Sequence, residues 1–311
     1  MSWFVLCTLP YISVAQMKWD KVTSGYGNLP RSVQLYRSND SLNGRPFIAY
    51  YISARLRDRS IEFSTQTGDG KRYKPSDYYR QEDSPLVVVN GTFFSFQSNQ
   101  NLNVVVSEGK LRAYNVSSLR IRQSDSFYYP TRSAIGITRK RRADVAWIFT
   151  DTAKRWAYAF QDNPIVAKGK NPDPSLGDLR AYEPWEWWKV YAAIGGGPVL
   201  LHQGEIRITN KEEQMFANGD HDLHPRTAMG YTRDGRLIIL AIQGRFPGKA
   251  EGASLWDEAK ILKDLGCEEA LNLDGGGSSC MLVNGKESIK PSDKEGQRAV
   301  PAVFMIKRKR K

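Results

Sequence analysis

Ala270-Leu271-Asn272-Leu273-Asp274-Gly275-Gly276-Gly277-Ser278-Ser279-Cys280-Met281-Leu282-Val283 is the stretch around which the rest of the chain arranges itself. Its apolar start reads as a strand that runs into Asp274. Its end, residues 280–283, reads as a second strand closed by Asn284-Gly285. Three consecutive glycines carry a high entropic cost, which favours a functional loop over a plain strand connection. Bare glycine backbone lets N–H groups approach an anion, and Ser278 and Ser279 add hydroxyls, so the loop is a candidate phosphate or oxyanion cradle. The Lys and the spacing of a Walker loop are absent.

The same pattern recurs upstream, where a strand-like segment ends in Gly195-Gly196-Gly197-Pro198. Hairpins are expected over Glu108-Gly109 and Asp234-Gly235. Residues 254–265 read as a helix, with Ser254 as N-cap, Asp257 in the first turn and Gly266 at the stop. Residues 133–138 and 145–149 read as strands flanking Arg139-Lys140-Arg141-Arg142. Many strands with few helices predict an α+β fold built on a mixed, curved, multi-stranded sheet. The segment Trp185-Glu186-Trp187-Trp188 is expected to be an irregular flap over a ligand groove or a loop pinned by buried tryptophans.

The 311 residues are 41% hydrophobic and 25% charged, which excludes disorder over most of the length. Residues 1–15 carry no charge and end Ser13-Val14-Ala15, as a signal peptide does, although no Lys or Arg precedes the apolar run. The expected organisation is a signal segment at 1–15 and N-terminal strands and loops at 16–84. The main domain follows at 85–306, then a basic tail at 307–311. Export to the periplasm, cell surface or medium follows from the first segment. That segment is too short to span a bilayer.

The net charge of +12 sits largely in the basic run at 139–142 and in the tail. No recognition-helix or RNA-binding pattern accompanies either, so they are expected to be a solvated turn and a frayed end, with no nucleic-acid partner. Cys267 and Cys280 are expected to be separately buried thiols, and no His/Cys spacing suggests zinc.

Further candidates follow from chemistry. Arg226, in His224-Pro225-Arg226-Thr227, is a candidate phosphate clamp, because guanidinium binds phosphate bidentately. His224 is a candidate acid or base. Arg245 and Arg298 are further cations. Asn90, in Asn90-Gly91-Thr92-Phe93-Phe94, is suited to hydrogen-bonding a sugar hydroxyl.

Taken in order, the segments at 90–94, 195–198, 224–228, Gln243-Gly244-Arg245 and 271–279 resemble the phosphodiester glycosidase family. The resemblance covers residues 85–306. It implies hydrolysis of a sugar-1-phosphodiester, such as an N-acetylglucosamine-1-phosphodiester, in exported glycans. It implies catalytic roles for Asp274, Arg226, Asn90 and His224. Substrate binding falls to Gly195, Gly196, Gly197, Arg245, Gly275, Gly276, Gly277, Ser278, Ser279 and Arg298. A divalent cation is allowed, with no ligands assigned. Glu183, Asp220 and Asp222 are candidates for a partner carboxylate. The family usually carries Asp where this chain has Gln243, which can be neither base nor nucleophile. The alternative is therefore a catalytically altered cell-surface glycan-binding protein.

Overall fold

The computed structural model describes residues 17–182, 184–216 and 219–309. The expected signal segment, Cys7 and Glu183 lie outside them. Three antiparallel sheets hold most of the chain. An eight-stranded sheet has the order Asp20–Lys21, Val33–Ser38, Ala49–Arg55, Arg236–Ile242, Arg226–Thr232, Cys267–Asn272, Val199–His202, Glu205–Ile206. A seven-stranded sheet has the order Glu186–Trp187, Trp156–Phe160, Ala143–Asp151, Arg132–Ile137, Ala192–Gly195, Val105–Ser107, Lys110–Ala113. A five-stranded sheet has the order Lys286–Glu287, Met281–Val283, Val87–Asn90, Ala302–Arg308, Ile61–Thr67. Among the described residues there are two α-helices, α1 (Pro75–Gln81) and α2 (Leu255–Asp264). The expected α+β class with curved sheets and few helices is what the structure shows.

The central strands are buried on both faces, which is why they read as continuous apolar runs rather than alternating ones. Arg132–Ile137 and Ala192–Gly195 have no exposed residue. Leu271, Leu273, Ile194, Val199 and Met229 pack in one core cluster with Val87, Val89 and Phe304. The seam between the sheets therefore lies beneath the strand ends that carry the glycine loops. Residues before 85 are hydrogen-bonded into these sheets: Ala49–Arg55 pairs with Arg236–Ile242, and Ile61–Thr67 pairs with Ala302–Arg308.

Helix α2 starts as its sequence dictates. The Ser254 hydroxyl accepts from Asp257 N at 3.1 Å, and Asp257 Oδ2 accepts from Ser254 N at 3.0 Å, a reciprocal capping box. One face of α2 is buried through Leu255, Ala259, Ile261 and Leu262 against Leu200 and Ala270 of the eight-stranded sheet.

Two surface expectations need correction. The basic run at 139–142 is not simply solvated: Arg141 donates to the carbonyls of Leu56 and Ile61, and Arg139 lies 4.5 Å from the Tyr191 ring centre. The tail does not begin to fray at 307, because Ala302–Arg308 is one strand and Lys307 pairs with Glu82 at 2.6 Å. Cys267 and Cys280 are buried and unpaired, as expected. Among the described residues no helix is long and apolar enough to cross a membrane.

Removing the α2 cap, Ser254→Ala, is expected to lower stability by about 1 kcal/mol. Urea unfolding checks this: the midpoint should fall with the slope unchanged, and an unmoved midpoint would contradict the assigned cap.

Candidate active site

The strand Val87–Asn90 ends in a fully buried asparagine. Asn90 Nδ2 donates to the Asp274 carbonyl at 2.6 Å, and Asn90 Oδ1 accepts from Thr227 Oγ1 at 2.9 Å and from Cys280 N at 3.0 Å. One amide thus ties the five-stranded sheet to the eight-stranded sheet and to both ends of the glycine loop. Asp274 N donates to the Gly91 carbonyl, completing the tie. With its side chain enclosed and these atoms engaged, Asn90 positions the loop. The expected contact with a sugar hydroxyl is not available to it.

Two glycines of the loop stand against arginines and the first stands against backbone. A Cβ on Gly275 would meet the Pro225 carbonyl oxygen at 2.9 Å, with Arg226 Cδ in ordinary contact at 3.9 Å. One on Gly276 would lie 2.9 Å from Arg245 Nη2, and one on Gly277 would lie 2.0 Å from Arg298 Nη2. The loop amides are mostly spent: Gly276 N donates to Pro225 O, Ser278 N to Gly275 O and Ser279 N to Gly276 O. In place of the expected amide cradle, the loop is flanked by the guanidinium groups of Arg245 and Arg298, for which the missing side chains at 276 and 277 make room.

The three arginines differ. Arg226 is buried and donates to the carbonyls of Ala253 (3.0 Å) and Asp222 (2.9 Å), so it supplies charge from beneath the loop. Arg298 is half-buried, held in a fork by Asp293 at 2.8 and 3.0 Å. Arg245 is exposed, at a φ of 65°, a backbone region sparsely used by non-glycine residues and concentrated at functional sites.

Asp274 is half-buried. Burial pushes its carboxyl up to about 7, opposed by the Ser278 hydroxyl, the Arg298 charge and the Gly275 N–H. His224 is pulled below its usual range by burial, then by Arg226 and Arg245, and stays neutral at neutral pH. Its Nδ1 is buried without a partner among the described residues. The Ser279 hydroxyl is also buried and without a partner among the described residues.

The second glycine turn lies under the site. Gly195, Gly196 and Gly197 are buried, and their N–H groups donate to Val104 O, Ser133 O and Asn272 O. A Cβ on Gly196 would stand 2.4 Å from Asn272 O. These glycines let two strand ends pack together, so the expectation that they line a ligand is replaced by a packing role.

A model of the phosphodiester glycosidase family matches residues 83–307. The chain belongs to that family. The mouse N-acetylglucosamine-1-phosphodiester alpha-N-acetylglucosaminidase is 35% identical over 109 residues, which cover 32% of this chain and 21% of the mouse protein. The match thus spans about a fifth of that relative's length. The solved catalytic domain of the zebrafish enzyme of the same name, auto-inhibited by its pro-peptide, superimposes with a TM-score of 0.59 at 22% identity, covering 95% of this chain and 89% of that one. A hypothetical protein from Synechocystis superimposes with a TM-score of 0.62 at 16% identity, over 93% of this chain and 63% of that one. Both structural likenesses speak to the fold.

In this phosphodiester glycosidase chain, several site carboxylates carry no sequence signal. Glu213 is wholly buried and accepts from Ser133 N, Ser133 Oγ, Trp147 Nε1, Val199 N and Thr209 Oγ1, which fixes both sides of the 195–198 turn. Glu258, buried in the first turn of α2, is pushed up to about 8 by burial, with Arg226 opposing. Asp293 holds Arg298. Only the local pattern at Asp257, three residues after an N-cap Ser, gave such a role in advance. Asp220 accepts from Asn210 Nδ2 at 2.7 Å, and Asp222 is exposed. Gln243 Oε1 accepts from Lys290 N at 2.8 Å, a structural tie that needs no acid. Among the described residues no three His, Cys, Asp or Glu side chains gather to hold a metal ion.

Gly196→Ala meets backbone that cannot move aside and is expected to destabilise the protein by roughly 1–3 kcal/mol. Gly277→Ala meets only the Arg298 and Asp293 side chains and should cost less. Thermal unfolding of the two variants checks the order; a reversed order would contradict the packing role of Gly196.

Proposed function

We propose that this protein hydrolyses a sugar-1-phosphodiester, with Asp274 acting as a carboxylate at the anomeric carbon. The observation that carries the reading is one perturbed carboxyl under the charge of Arg298, in a loop whose glycines 276 and 277 make room for Arg245 and Arg298. Perturbed carboxyls beside cations are common at catalytic centres. Water supplies the incoming oxygen, the bond from C1 to the phosphate oxygen breaks, and a phosphate monoester leaves. Its second pKa is about 6, so it departs without a strong general acid. What it needs is stabilisation of negative charge, which guanidinium groups provide. Arg245 is the exposed cation and the natural first contact for the phosphate, Arg298 stands beside it, and Arg226 adds its charge from below.

The useful form of Asp274 is then the ionised one. It can act as nucleophile, as base toward water, or as support for an oxocarbenium-like sugar. Neutral His224 is available to hydrogen-bond the sugar or the incoming water. Membership of the family supports the reaction class. The N-acetylglucosamine-1-phosphodiester specificity and the exported location, which the apolar segment at 1–15 supports, are parts of the same proposal.

Asp274→Asn should abolish turnover of a chromogenic sugar-1-phosphodiester while thermal unfolding remains cooperative; a folded variant with full activity would remove Asp274 from the mechanism. Because the carboxyl is raised to about 7, protonation silences it below that pH, so kcat/KM should rise as pH increases through about 7. A profile that falls through the same range would show the protonated form to be the active one.

A further inference from the structure

The seven-stranded sheet carries a groove of about 790 Å³ at its tryptophan-rich edge. Among the described residues four large apolar side chains stand out as exposed: Phe96, Trp156, Trp187 and Trp256. Two of them meet here. Trp156, 41% exposed, and Trp187, 48% exposed, stack with ring centres 4.8 Å apart and planes at 24°. The rest of the segment is anchored. Trp188 is buried and donates to Asp144 at 2.5 Å, and Trp185 meets the buried Tyr158 edge-on at 4.9 Å. The short strand Glu186–Trp187 pairs with Trp156–Phe160. Both expectations for this segment therefore hold in part: it is pinned by buried aromatics, and it borders a groove.

Exposed indole surface held in place by a built support marks an interaction site rather than leftover apolar area. The groove's chemistry selects the partner. Beside the aromatic wall it presents Asp151, Asp173, Lys154 and Ser175. The Asp151 side chain is only 13% exposed, and its Oδ1 accepts from Lys154 N at 2.9 Å. Two carboxylates against one ammonium disfavour an anion here, in contrast to the arginines around Asp274. An aromatic face next to carboxylates and hydroxyls suits a neutral pyranose ring, whose C–H face is apolar and whose rim is hydroxylated. Trp187 is already covered by Trp156, and the Lys189 ammonium lies 4.7 Å from its ring centre. Trp156 is therefore the ring offered to a ligand.

We infer that this groove is a second saccharide-binding site, for neutral pyranose residues of a glycan, with Trp156 as its stacking platform. Strand register gives it a useful place. Gly195 lies opposite Ala134, and Ala134 opposite Ala146. Asp151, further along that last strand, lies opposite Trp156. The groove thus extends past the row of Gly195 at the same end of the sheet, the end that carries the glycine turns. A glycan of several rings held there keeps its continuation on the side of the candidate active site. The inference stands apart from the hydrolase reading, since binding is measured without turnover.

Calorimetric titration of the full chain with N-acetylchitotetraose and with maltotetraose tests it, with a heparin tetrasaccharide as the charged comparison. At least one neutral tetrasaccharide should bind. Trp156→Ala should weaken that binding ~tenfold, as expected for loss of a stacking contact. Trp156→Tyr should largely retain it, and turnover of a small chromogenic sugar-1-phosphodiester should be unchanged in both variants. Failure of both neutral probes to bind at millimolar concentration would overturn the inference, as would Trp156→Ala binding like the parent. So would preference for the heparin fragment, or self-association in sedimentation that Trp156→Ala abolishes. Absent turnover with intact tetrasaccharide binding would count against the hydrolase reading alone.

Discussion

The side-chain amide of Asn90 is the contact on which the site depends. It is buried at the seam of two sheets, and it bonds Thr227, Cys280 and the carbonyl of Asp274 at once. Buried amides must be satisfied, and a fully satisfied polar network fixes one geometry where apolar packing alone would tolerate several. Without this tie the flexible glycine loop would have a choice of paths, and Asp274 would have no fixed relation to the arginines.

The loop then works by subtraction. Side chains at 276 and 277 would occupy the space in which Arg245 and Arg298 stand. Their absence concentrates positive charge around one carboxyl that burial has made reluctant to ionise. The opposition between desolvation and cation attraction leaves Asp274 poised near neutral pH rather than firmly charged or firmly neutral. A phosphodiester substrate adds a negative charge to a region that already holds the countercharge, so binding and charge stabilisation use the same groups.

Much of this was legible in the sequence, and the reasons are local. The strands at 226–232 and 236–242 announced themselves through Asp234-Gly235, and α2 through Ser254 and Asp257, because turns and caps are decided by neighbouring residues. The two glycine runs stood out by composition, yet their jobs were not separable: one frames arginines and the other lets backbones pack, a difference that depends on distant strands. Glu213, Glu258 and Asp293 were invisible because a single acidic residue carries no periodicity. Their partners come from residues far apart in the chain, as with Glu213 and Ser133. Asn90 stands out in the sequence as a polar residue closing an apolar strand, and sheet order, which the sequence does not encode locally, turns it inward.

The central claim is that Asp274 faces an anomeric carbon while the arginines hold the phosphate. A crystal structure of Asp274→Asn soaked with N-acetylglucosamine-1-phosphodiester tests it most directly. The account predicts the anomeric carbon beside the residue 274 side chain, with phosphate oxygens on Arg245 or Arg298. A ligand bound with its phosphate away from these arginines, or its anomeric carbon turned from residue 274, would contradict it.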